Sequence, residues 1–340
     1  MKSSLLPVKP GMNRAVPLRW LVAGLTAASL SRLANSPRAV DNDRWITPLG
    51  RWRKGGMLTA GRIGLGPFPR SGHLLRSPAR PEGVRVTRTI AVANQKGGVA
   101  KTTTVASLGV ALVELGNKVL LVDLDPQACL TFSLGVDPDG LELSVHDVLM
   151  GRVGAAMAIR TTEDGVDLIP SHIDLTGSEV ALYEKPAREY ALGNALDDVR
   201  QGYDYVIIDC SPSLGVLTLN ALTAADEVLV PLQCETLSHR GVGQLLDTVQ
   251  EVQRLTNPSL RVMGVLPTLF DGRTTHARAV LADVESRYGV RVLEPPITRS
   301  VRFAEAPAIG HSVLATATGS KGAEAYRELA RRMTKDEAAA

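Results

Sequence analysis

A glycine pair bracketed by lysines, Lys96-Gly97-Gly98-Val99-Ala100-Lys101-Thr102-Thr103, limits what this chain can fold into more than any other stretch. The seven residues before Asn94, Thr87–Ala93, are β-branched and apolar, while Val105–Leu115 is periodic as a helix and stops at Gly116. Strand, glycine loop and helix in that order form a phosphate-binding turn. The glycines let backbone N–H groups point inward, and the helix N-terminus adds partial positive charge. Lys101 then places a point charge on the β/γ oxygens of a triphosphate, and Thr102 a hydroxyl where Mg²⁺ would sit.

Two further runs deliver carboxylates to the same end of a sheet. Lys118–Val122 reads as a buried strand leading into Asp123-Leu124-Asp125-Pro126-Gln127, with Asp123 and Asp125 alternating to one side. A solvated carboxylate pair capping the strand is the plainer alternative. Tyr205-Val206-Ile207-Ile208 is wholly apolar and ends in Asp209, the pattern that aims one carboxylate at Mg²⁺, usually through water. Strands alternate with helices from 87 to 333, which predicts an α/β fold: a doubly wound, mostly parallel sheet with flanking helices.

The common loop pattern G-x-x-x-x-G-K-S/T fails here, because Gln95 and Ala100 occupy its glycine positions. The variant K-G-G-x-x-K-S/T matches, and with it the sequence resembles the ParA/Soj-type partition ATPases of the deviant Walker A (ParA/MinD) superfamily, a P-loop NTPase fold. The likeness extends to Asp125-Pro126-Gln127, to Glu227–Glu235, to Val262–Leu269 with Asp271–Thr274, and to Pro295-Pro296-Ile297 followed by Arg299–Pro307. It implies ATP and Mg²⁺ as cofactors and slow, partner-stimulated hydrolysis of ATP to ADP and phosphate. By the same resemblance Lys96 reaches across a homodimer to the partner's nucleotide, and Asp125 orients the attacking water and helps hold the metal with Thr102 and Asp209. Gly97, Gly98, Val99, Ala100, Lys101, Thr102, Thr103 and Pro296 complete the nucleotide site. Two positions depart from the family: Ser211 replaces a switch II proline, and Ala100 a loop glycine. A methyl group at Ala100 is tolerable in right-handed helical space and strained where φ is positive.

Charge divides the chain. Residues 1–88 carry 16 Lys and Arg against 3 Asp and Glu, whereas the remainder carries 22 against 32, so the net charge of +3 describes neither part. We expect an ATPase domain over 87–335 and, over 1–86, a basic Pro/Gly/Arg-rich extension, largely disordered. That extension is either a tail with nonspecific affinity for nucleic acid or anionic lipid, or translation from an upstream start. Its apolar run Trp20–Leu30 is too short to span a membrane and lacks a clear cleavage site. Within the globule, residues 240–340 hold 14 basic and 11 acidic residues against 8 and 21 in 89–239. Arg240, Arg273, Arg299, Arg302 and Lys321 are therefore the candidates for nonspecific contacts to double-stranded DNA.

The resemblance further implies a ParB-like partner and a cytoplasmic, nucleoid-associated protein that moves chromosomes or plasmids. A MinD-like positioning ATPase on a membrane and an ATP-switched DNA-binding regulator are the rival readings. The terminal helix lacks the basic face backed by large apolar residues that membrane anchoring needs, so no stable membrane association is expected. Three scattered cysteines (Cys129, Cys210, Cys234) and six dispersed histidines give neither a disulfide framework nor a metal-site spacing, which points to a reducing compartment.

Overall fold

The computed structural model describes residues 87–235 and 238–338, without the side chains of 238–240 and 336–338. The extension expected over 1–86 lies outside the described residues. The sheet has seven strands: β1 (Arg88–Val92), β2 (Val119–Leu124), β3 (Arg160–Thr161), β4 (Asp167–Ile169), β5 (Tyr205–Cys210), β6 (Glu227–Gln233) and β7 (Arg261–Thr268). Their order is β3-β4-β2-β5-β1-β6-β7, with every pairing parallel except β3 against β4. The central strands β2 and β5 are short, β-branched or leucine-rich runs buried on both faces, as a covered parallel sheet requires, whereas the edge strand β3 is exposed.

Successive residues on each strand face opposite layers. Ile90, Val92, Leu121 and Ile207 pack under α1 (Lys101–Glu114), α2 (Cys129–Ser133), α10 (Arg302–Ala308), α11 (Val313–Thr316) and α12 (Lys321–Ala338). Ala91, Leu120, Val122, Val206 and Ile208 pack under α3 (Val145–Met150), α4 (Ala155–Ala158), α5 (Leu175–Tyr183), α6 (Ala191–Arg200), α7 (Val216–Ala224), α8 (Ser238–Leu255) and α9 (Thr275–Tyr288). The expected doubly wound sheet is thus present. Each buried Leu, Ile or Val in these layers contributes about 1.5–3 kcal/mol of transfer free energy.

Helix α1 lies close on the sheet. A Cβ added at Gly109 would come within 2.8 Å of Leu121 Cδ2, so any larger residue there would have to displace that buried side chain of β2. It also begins at Lys101, four residues before the expected Val105. The reason is local: the Thr104 amide and hydroxyl both donate to the Ala100 carbonyl, at 3.0 and 2.7 Å, which closes the first turn. Helix α12 reads in sequence as poor in large apolar residues, yet Ala323, Tyr326, Leu329, Ala330 and Met333 are buried in the α1 layer. Small residues on both helices let the backbones come close.

Candidate nucleotide site

The carboxyl ends of β1, β2 and β5 converge, because β1 and β2 both pair with β5 and set Val92 and Asp123 level with Asp209. The loop after β1 is anchored from two sides. Asn94, buried, donates to the Pro231 carbonyl of β6 at 2.7 Å and accepts from the Lys96 amide at 3.0 Å. Thr268, at the end of β7, donates to the Val99 carbonyl at 2.9 Å. Gly98 has φ +74°, and no protein atom lies within 4 Å of where a Cβ would stand on Gly97 or Gly98. These glycines border open space, as a loop that wraps an oxyanion must.

Ala100 takes the strained alternative, with φ 64° and ψ 37°. Lys101 follows it, buried, with Nζ curled back to 3.4 Å from the Lys96 carbonyl. It makes no ion pair among the described residues. Asp209 is 1% exposed, and neither of its carboxylate oxygens accepts a hydrogen bond of standard geometry. Burial, then the neighbouring Asp123, pushes its pKa well above the ordinary carboxylate range; Thr102 and Lys101 pull the other way. A buried carboxylate with both oxygens unmet beside a threonine hydroxyl offers the oxygen donors of a hard cation such as Mg²⁺, and the Lys101 ammonium beside them suits the anion that accompanies it, so the residues fit such an ion.

Asp123 departs from the solvated pair. It is fully buried, and Thr131 donates to its Oδ2 from both the amide (2.8 Å) and the hydroxyl (2.7 Å). Burial raises its pKa. Asp125 lies just beyond β2, half-buried, and caps its own turn by accepting from the Gln127 amide at 3.0 Å. Strand alternation had these two carboxylates equivalent; α2 covers one and leaves the other at the cleft. Lys96, expected to reach a second subunit, is half-exposed and in this single chain forms an ion pair with Glu235 at 2.5 Å. Glu235 follows β6, 139 residues away, and sequence reasoning gave it no role.

A cavity of about 240 Å³ opens beside this pair, lined by Gln233, Glu235, Phe270, Asp271 and Arg299 among others. Pro296 lies next to it in a segment laid along the end of β7, where the Ile297 amide donates to the Pro267 carbonyl at 2.8 Å and its carbonyl accepts from Phe270. The basic candidates fall into two groups. Exposed Arg273 is held bidentate by Asp271 at the cavity mouth, near Arg299. Arg302, paired with Glu305 at 2.7 Å, and Lys321 lie on neighbouring helices whose Phe303 and Gly322 touch. The Arg240 side chain lies outside the described residues.

The family model described as an AAA domain matches residues 87–262. The sporulation initiation inhibitor protein Soj of Bacillus subtilis is 44% identical over 245 residues, 72% of this chain and 97% of Soj. The chromosome partitioning protein ParA of Caulobacter vibrioides is also 44% identical, covering 72% and 92%. This chain belongs to the ParA/Soj family of deviant Walker A ATPases. Among solved structures, a cobyrinic acid a,c-diamide synthase of Mycobacterium smegmatis with bound ATP analogue and magnesium is similar at 58% identity and TM-score 0.67, covering 74% of this chain and 95% of that one. The cell division ATPase MinD of Pyrococcus furiosus is similar at 28% identity and TM-score 0.60, covering 74% and 99%. That synthase has been solved with magnesium and either ADP or an ATP analogue, the kind of ligands that the loop and the orphaned Asp209 fit. Among the described residues no helix is long and apolar enough to cross a membrane.

Proposed function

We propose that this ParA/Soj-family protein hydrolyses ATP slowly and that its ATP-bound homodimer binds DNA without sequence preference, moving a chromosome or plasmid with a ParB-like partner. The observation that carries the nucleotide chemistry is the buried, unpartnered carboxylate of Asp209 beside Lys101 and Thr102. In this reading the amides of Gly97–Thr103 and the Lys101 ammonium hold the phosphates, and Pro296 borders the base. Thr102, Asp125 and Asp209 hold Mg²⁺, which neutralises charge on the phosphate oxygens. Asp125 orients the water. Lys96 leaves Glu235 and neutralises the partner subunit's nucleotide, so association and ATP binding become one event. Residues 87–335 form the working domain, and 1–86 an added basic extension. Identity of 44% to Soj and ParA over nearly their whole lengths supports the partition role.

The apolar face of α12 is buried against α1, so that face is not available to a bilayer as a MinD-like membrane cycle would need. A second reading comes from the 58% identical synthase. Amide synthesis from glutamine uses a thiolate. Desolvation, joined at surface-exposed Cys129 by the neighbouring Asp125, Asp123 and Asp209, raises the pKa of Cys129 and Cys234 to about 11, and burial raises that of Cys210 further, all of which disfavours the thiolate.

The test combines sedimentation with DNA and steady-state hydrolysis. Wild type with ATP and Mg²⁺ sediments as a DNA-bound dimer whose affinity falls steeply with salt. Asp125→Ala arrests in that state without turnover. A monomer in saturating ATP, or DNA affinity indifferent to salt, refutes the proposal; glutamine-dependent amidation of a corrinoid acid establishes the second reading.

A further inference from the structure

The Asp125 carboxylate accepts from the amide of its own turn at Gln127 and its carbonyl from the Ala128 amide at 2.9 Å; beyond these local bonds its main chain is closed into a ring of hydrogen bonds with other elements. Its amide donates to Asp123 Oδ1 at 3.3 Å. Asp123 Oδ2 accepts from the Thr131 hydroxyl at 2.7 Å, and Thr131 Oγ1 in turn accepts from the Ser171 amide at 2.8 Å. The Ser171 hydroxyl donates to the carbonyl of Asp125 at 2.7 Å, which returns the ring to its start. Asp123, Thr131 and Ser171 are each 0% exposed, so the two bonds among them are shielded from water, while the two that reach Asp125 lie at the edge of the cleft. The three come from different elements: the end of β2, the middle of α2 and the loop between β4 and α5. A hydroxyl that only stabilised the fold could bond any nearby carbonyl. This one grips the residue at the cleft, from a loop 46 residues further on.

We propose that Ser171, Thr131 and Asp123 are positioning residues for hydrolysis. By holding both the amide and the carbonyl of Asp125 they fix where its carboxylate meets the attacking water. The inference rests on the water-orienting role proposed for Asp125. Pre-organisation of this kind acts on the chemical step and leaves nucleotide affinity to the loop and Lys101.

The experiment measures turnover at saturating ATP and, separately, ATP affinity by calorimetry, on the full chain. Ser171→Ala removes one bond of the ring and is expected to lower turnover roughly tenfold, with ATP affinity within twofold of the parent. Thr131→Val keeps the shape but opens the ring at two points and should lower turnover further; Thr131→Ser, which restores the hydroxyl, should recover most of that loss. Asp125→Ala is run beside them. If it is inactive while Ser171→Ala turns over within twofold of the parent, the ring is not a positioning device and the role of Asp125 stands. Parallel losses of turnover and affinity, or no recovery in Thr131→Ser, mark a purely structural role and overturn the inference. If Asp125→Ala still hydrolyses ATP at the parental rate, the role of Asp125 fails and the inference falls with it.

Discussion

Replacing Ala100 by glycine should stabilise the protein. At φ 64° and ψ 37° the alanine Cβ crowds the following carbonyl, which costs about 1–2 kcal/mol relative to a residue without one. Glycine removes that strain but gives the unfolded chain extra freedom, worth about 0.4–1 kcal/mol in the opposite direction. Over those ranges the difference runs from about zero to a gain of about 1.6 kcal/mol, centred on about 0.8 kcal/mol. Ala100 is also the N-cap of α1, where glycine is preferred to alanine, so the second effect reinforces the first. At about 2–4 °C per kcal/mol for a domain of this size, the melting temperature should rise by about 1–4 °C. Thermal and urea unfolding of the nucleotide-free protein measure it. Ala100→Val supplies the opposite sign, because a β-branched side chain fits the left-handed region worse still. A glycine variant less stable than the parent by 0.5 kcal/mol or more would refute the conformational reasoning.

The remaining expectations concern charge and packing. Without metal, buried Asp209 and Asp123 retain protons that the unfolded chain gives up above its ordinary carboxylate pKa. Stability should therefore fall as pH rises from about 4 towards about 7, by at most about 1.4 kcal/mol per unit for each group. Urea titrations at pH 5 and pH 7 should give Asp209→Asn the flatter slope, and Mg²⁺ with ATP should flatten that of the parent; equal slopes in parent and variant would contradict the burial argument. Lys96→Ala breaks only an exposed pair, so nucleotide-free stability should change by less than about 1 kcal/mol while dimerisation in ATP is lost. A Lys96→Ala protein that still dimerises in analytical ultracentrifugation removes the proposed switch. Tyr326→Phe forfeits the hydroxyl contact to Thr104 Oγ1 at 3.0 Å and should cost about 1 kcal/mol in urea unfolding; a neutral result would show that this hydroxyl adds nothing to the hold of α12.

The strands and the phosphate loop were legible because their information is local: apolar runs, a glycine pair and two lysines sit within a single turn of chain. Asp209 was legible for the same reason, since a wholly apolar strand ending in a carboxylate has few other uses. What sequence left open depends on distant partners. Asp123 and Asp125 differ by two positions and share one strand pattern, yet Thr131 and Ser171 bury the first and leave the second at the cleft. Nothing in the spacing marks a hydroxyl 46 residues on as the one that returns to Asp125. Backbone angle is similarly silent: alanine at position 100 fits either helical hand, and the choice is made where the strand end, Asn94 and Thr268 fix the loop.

Lys96 and Asp209 sit on either side of one loop and are unfinished in different ways. Asp209 carries a desolvation cost that Thr102 and Lys101 offset only in part, so the folded chain is already biased towards a cation that restores its charge. Lys96 is satisfied by Glu235, but in an exposed pair worth little, from which a strong anion held by a second subunit can withdraw it at small cost. Metal and nucleotide are thus favoured by what a single chain lacks, and the proposed association by how weakly that chain holds what it has. The order follows: nucleotide binding precedes dimerisation, because only the bound phosphates supply the anion for which Lys96 would leave Glu235.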